Sequence, residues 1–182
     1  KQAAQELMRV VQEELDKLPE ENRPRLYFAG ESLGAYAIMD NFHNVDELLS
    51  ACNGAVFSGP PRMTRFTQRL RRDIGSLERL PVIDGGKHVR YAAAPEHTLH
   101  DAFGNDFTHA WRRPRMLIAQ HASDAIVWWD LNLLVRRPTW IHEPQPEALH
   151  ADTFRQLRWV PFITWWQIGL DQINSLNVPG GH

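Results

Sequence analysis

The chain has 182 residues, enough for one compact domain with a real core and short for two. Apolar residues make up 43% and charged residues 23%, an ordinary globular balance, and the formal net charge of −2 lacks the basic footprint that nucleic-acid binding requires. Cys52 is the only cysteine, which excludes an internal disulfide and cysteine-rich zinc sites.

From Lys1 to Leu18, Ala4, Leu7, Met8, Val11, Leu15 and Leu18 recur at helical spacing with Gln5, Glu6, Gln12, Glu13 and Asp16 turned outward. This pattern predicts an amphipathic helix rather than a signal peptide. Pro19 ends it, and residues 20–24 form a polar turn. Arg25 to Ala29 (RLYFA) is a short apolar run suited to a strand buried on both faces, broken by Gly30. Helical patterning resumes from Ser32 to Met39 and again from Val45 to Cys52. Gly54 to Ser58 (GAVFS) reads as a second buried strand, stopped by Gly59-Pro60-Pro61.

Met63 to Arg72 is predicted helical, and the arginines at 62, 65, 69, 71 and 72, interleaved with Asp73 and Glu78, read as a solvated face rather than an anion site. Asp84-Gly85-Gly86 is a turn before a short strand at His88 to Tyr91, and Arg115 to Gln120 (RMLIAQ) is a third buried strand. Val160 to Ile173 is strongly apolar, but Gln167, Asp171 and Gln172 fall at helical spacing, which suits a covering helix rather than a membrane span. Helix and strand in alternation predict an α/β fold: a mostly parallel sheet covered by helices, in one domain.

Gly30-Glu31-Ser32-Leu33-Gly34 fits G-x-S-x-G. A match by chance somewhere in a chain of this length has a probability of about 5%, so the setting carries the weight. A buried strand enters the motif and an alanine-rich helix leaves it, as a nucleophile elbow requires. On that reading the turn lifts the Ser32 hydroxyl above the sheet edge. Gly30 and Gly34 leave room for neighbouring backbone, and the Leu33 amide faces a developing oxyanion. The competing account is a plain strand–turn–helix with Ser32 as a helix cap.

In such a site the acid follows the serine along the chain and the histidine comes last. Asp124 lies on the loop beyond the RMLIAQ strand, where active-site residues of open α/β sheets gather, whereas Asp130 is placed to begin a helix. Three histidines follow Asp124. His142 and His150 sit in a proline-rich, charged stretch, and His182 follows the swinging loop Val178-Pro179-Gly180-Gly181. His182 is therefore favoured as general base.

The segments Tyr27-Phe28-Ala29-Gly30-Glu31-Ser32-Leu33-Gly34, Ser58-Gly59-Pro60-Pro61, Leu80-Pro81-Val82-Ile83-Asp84-Gly85-Gly86, Gln120-His121-Ala122-Ser123-Asp124, Val127-Trp128-Trp129 and Val178-Pro179-Gly180-Gly181-His182 resemble the catalytic domain of the bacterial α/β-hydrolase family 9. Members are common in actinobacteria and typically carry membrane-spanning helices ahead of the hydrolase domain. The resemblance implies a serine hydrolase anchored to a membrane through regions outside this chain, with Ser32 as nucleophile, Asp124 as acid and His182 as base. It also implies the C-terminal portion of the fold, with the early strands and the loop bearing the second oxyanion amide missing. Residues 1–182 are then a partial catalytic domain, completed by upstream sequence or by a second chain.

The chemistry expected is attack on a small-molecule or lipid acyl ester or thioester through an acyl-Ser32 intermediate, without a cofactor. Transfer of the acyl group to a sugar or lipid hydroxyl, and a non-catalytic binding module, are the alternatives. The five histidines His88, His97, His100, His109 and His121 show no metal-ligand spacing, so no metal is expected. Seven tryptophans suit either an acyl-chain pocket or core and lid packing.

Overall fold

Among the described residues four short strands, β1 (Tyr27–Glu31), β2 (Gly54–Ser58), β3 (Val89–Ala92) and β4 (Arg115–Ala119), form one sheet in the order β1-β2-β4-β3, with every pairing parallel. The computed structural model describes residues 2–73, 80–121, 124–138 and 158–174. Around the sheet lie α1 (Gln2–Asp16), α2 (Leu33–Met39), α3 (Val45–Ser50), α4 (Arg65–Asp73), α5 (Ala125–Trp128) and α6 (Ile163–Asn174). Every one of these strands, and every helix except α5, lies within a few residues of where the sequence pattern predicts it; no periodicity marks the single turn of α5. One boundary matters: Gly30 does not break β1, which runs on to Glu31.

The register sets Glu31, Ser58, Ala119 and Ala92 side by side at the carboxyl ends of the strands. Because side chains alternate across a sheet, Phe28, Ala55, Phe57, Met116, Ile118, Val89 and Tyr91 share one face. All are buried, and Ala35 and Met39 of α2, Leu48 and Leu49 of α3, and Phe66 and Leu70 of α4 cover them. Each large side chain removed from water in this way contributes about 1.5–3 kcal/mol. The α3 start is held by Asn44, whose Oδ1 accepts from Glu47 N at 2.8 Å, while the Glu47 carboxylate accepts from His43 N.

The opposite face corrects the expectation of strands buried on both sides. Tyr27 is 56% and Val56 49% exposed, and Leu117 is only half-buried. Apolar content announced burial, but the described residues supply no layer over Tyr27 and Val56. β1 also pairs with a single neighbour among the described residues, so one of its edges is unpaired. The apolar stripe of α1 is likewise less buried than its spacing predicts: Leu7 stands in solvent, and Met8 packs half-buried against the main core.

A second, smaller core joins α5 to α6 through Ala125, Val127, Trp128, Leu133 and Ile168, with Trp129 and Trp165 packed on it. Trp129 Nε1 donates to Trp165 O at 3.2 Å. Here Trp128, Trp129 and Trp165 serve as packing. The arginine series meets its expected role as a solvated face only in part: Arg65 and Arg72 are exposed, but two others are not. Arg71 is buried, its guanidinium 5.6 Å from the Trp128 ring, and Arg62 is nearly so. No helix among the described residues is long and apolar enough to cross a membrane.

Candidate active site

Ser32 stands between β1 and α2 with φ 50° and ψ −115°, a backbone conformation that a side chain normally avoids. Its amide donates to Ser58 O at 2.9 Å, which ties the bend to β2, and its carbonyl accepts from Tyr36 N at 3.0 Å, the first turn of α2. The side chain makes no capping hydrogen bond. An ordinary serine cap has an extended backbone and an oxygen bonded to the second or third helical amide. Ser32 has neither feature, so a cap does not describe it. The Leu33 amide, next along the chain at the open start of α2, finds no hydrogen-bond acceptor among the described residues.

The two motif glycines differ. A Cβ on Gly30 would sit 2.7 Å from Ala35 N and from the Gly34 carbonyl carbon, so β1 and α2 pass too closely there for any side chain. At Gly34 nothing lies within 4 Å of such a Cβ, and the expectation that this glycine relieves crowding is not met among the described residues.

Asp124 lies five residues beyond the end of β4 and is 2% exposed. Its Oδ1 accepts from Ile126 N at 2.9 Å, making it the N-cap of α5. Asp130 caps the next single turn, residues 131–134, accepting from Asn132 N at 2.6 Å, as its predicted role of helix starter requires. Asp124 and Ser32 are not hydrogen-bonded to each other. They stand at the carboxyl ends of β4 and β1, with β2 between. His142, His150 and His182 lie outside the described residues, as does Ser123 of the loop after β4.

A cavity of about 410 Å³ opens on the less covered face at the carboxyl ends of the strands. Strand residues Glu31, Ser58, Ala92, Leu117 and Ala119 form its floor, and Gln120, His121 and Asp124 from the loop after β4 form a wall. Ser32 is not in its lining, although its neighbour Glu31 is. Sequence pattern alone does not mark Glu31, Gln120 and His121 as site residues. The available signal was positional, since each immediately follows or ends a strand that points into the crevice where open α/β sheets bind ligands. None of the described tryptophans lines this cavity. Among the described residues no group of three or more potential ligands is arranged to hold a metal ion.

Cys52 is not part of this constellation. It is buried, its Sγ lies 3.4 Å from Leu48 O, and burial pushes its thiol above the usual range, away from the reactive thiolate.

A parallel sheet helix-covered on one face, a strained serine at a strand-to-helix bend and a buried carboxylate beyond a later strand define an α/β-hydrolase-like protein. A family model described as an alpha/beta-hydrolase family matches residues 1–182, and the chain belongs to that family. A hydrolase-like function follows at that level. No curated protein and no solved structure gives a match.

Proposed function

We propose that this chain carries the nucleophile of a serine hydrolase acting on an acyl ester or thioester. The Ser32 backbone at φ 50° and ψ −115°, with its hydroxyl uncommitted to a cap, is the observation that carries the reading. Strain of this kind costs about 1–3 kcal/mol and persists where it serves a function. In the first step Ser32 Oγ attacks the acyl carbon while a histidine takes the hydroxyl proton. The Leu33 amide donates to the oxyanion that forms, and the histidine returns the proton to the departing alcohol or thiol. Water then attacks the acyl-serine, and the free acid and Ser32 are released.

Asp124 is the group assigned to orient the histidine, and His182 is the histidine assigned. Two strand spacings, roughly 10 Å, separate β1 from β4, so Ser32 and Asp124 flank β2 at the same end of the sheet, with room for a ring between them. The edge of β1 left unpaired among the described residues supports a further reading, that upstream sequence or a second chain extends the sheet there. Attachment to a membrane would come only through regions outside this chain.

A fluorophosphonate probe on the full-length protein tests the assignment. Labelling is expected on wild type and lost in Ser32→Ala; labelling that survives the substitution refutes it, and a wild type that never labels favours a non-catalytic module. Incubating the protein with an acyl ester, with and without a sugar or lipid alcohol, then separates release of free acid from transfer to the acceptor.

A further inference from the structure

Asp124 and Ser32 reach the site from segments 92 positions apart, so something must fix one against the other. The stretch from Ser58, the last residue of β2, to Arg62 touches both segments. Ser58 O accepts from Ser32 N at 2.9 Å, Gly59 N donates to Ala119 O at 2.8 Å, and Arg62 N donates to Ile126 O at 3.4 Å. The last link is a side chain: Arg62 Nε donates to Asp130 Oδ2 at 2.7 Å. Pro60 and Pro61, both buried, stiffen the middle of this bridge.

We propose that Arg62 is a positioning residue of the active site, whose ion pair with Asp130 sets the Asp124 loop at its working distance from the Ser32 elbow. The inference rests on the serine-hydrolase reading above. Asp130 caps the turn just beyond α5, and Asp124 caps α5 itself, so the pair anchors the far end of the short helix that Asp124 begins. The Arg62 and Asp130 side chains are only 12% and 17% exposed, and Arg62 Nη1 is buried with no hydrogen-bond partner among the described residues. A nearly buried pair with an unsatisfied donor is a poor device for stability alone, since apolar side chains of similar size commonly serve as well or better. What a charged pair supplies is a fixed direction and length between two loops 68 residues apart.

Two variants of the full-length protein test this. Arg62→Lys keeps the charge but loses the planar fork. The double variant Arg62→Met with Asp130→Asn removes both charges, leaves no unpaired buried ion and keeps an oxygen for Asn132 N. Folding is checked by thermal unfolding, and turnover is normalised to active sites counted with the fluorophosphonate. The double variant is expected to lose about 10- to 100-fold in kcat with KM within about twofold, and to displace the acidic limb of the pH–rate profile, because the imidazole is no longer held by a correctly placed carboxylate. Arg62→Lys is expected to recover part of that loss. A double variant that melts lower yet turns over at the wild-type rate per site, with an unmoved pH profile, overturns the proposal and leaves Arg62 a structural residue. Failure of the wild type to label at all refutes instead the serine reading beneath it.

Discussion

The asymmetry between Gly30 and Gly34 offers a demanding test, because the motif treats the two alike and the structure does not. In Gly30→Ala the new Cβ would meet backbone atoms of α2 at 2.7 Å, where ordinary contact begins near 3.4 Å, so the helix and the strand must part by about 0.7 Å. Overpacking against backbone costs about 1–3 kcal/mol. For a domain of this size, at about 2–4 °C per kcal/mol, the melting temperature should fall by about 2–12 °C. The same displacement moves Ser32 relative to the Asp124 loop, and a misplacement approaching 1 Å lowers a rate by up to about 100-fold. Gly34→Ala meets open space in the first turn of a helix, where alanine is the better helix former by up to about 1 kcal/mol. Its melting temperature should hold or rise. Circular-dichroism melts of the two variants, paired with their fluorophosphonate labelling rates, decide the matter. Equal destabilisation by both alanines, or a loss confined to Gly34→Ala, would refute the crowding argument.

Three further outcomes follow from the same geometry. Glycine tolerates φ 50° where alanine does not, so Ser32→Gly should be more stable than Ser32→Ala by about 1 kcal/mol in denaturant titration, despite the larger chain entropy of glycine; both should fail to label. Equal stabilities would show that the bend is unstrained. Asp124→Asn retains an oxygen for Ile126 N, so thermal stability should change little while kcat falls by about 10⁴-fold; a modest loss of activity would remove Asp124 from the acid role. Glu31→Gln removes a negative charge from the cavity floor, and should raise turnover of anionic esters relative to neutral ones by about two- to fivefold at low salt, fading near molar salt. An unchanged ratio would mean that the charged part of the substrate does not pass Glu31.

Much of the fold could be read from local pattern. Buried strands and helices leave periodic traces over five to fifteen residues, and the elbow compresses strand, bend and helix into five positions, from Gly30 to Gly34. The position of Asp124 is legible for a related reason: a residue shortly past an apolar strand falls at the carboxyl end of the sheet. The burial of Arg62 and Arg71 is not legible, because a guanidinium in an arginine-rich, charged stretch looks solvated until its long-range partner is known. Here the partners are Asp130, 68 positions away, and the Trp128 ring.

The less covered sheet face was illegible for a deeper reason. Tyr27, Val56 and Leu117 are apolar, and sequence reports what environment a residue favours, not which element arrives to provide it. The same holds for α6, where Ile163, Trp166, Leu170 and Ile173 recur at helical spacing yet stand exposed. The candidate site shares this face, since Glu31, Ser58, Ala92, Leu117 and Ala119 floor the cavity from it. Val56 and Ser58 are two strand residues apart, about 7 Å. A layer that removed Val56 from water would therefore run along the rim of the cavity and decide how much of it stayed open. Completing the apolar face and shaping the substrate pocket are, for this sheet, one structural step.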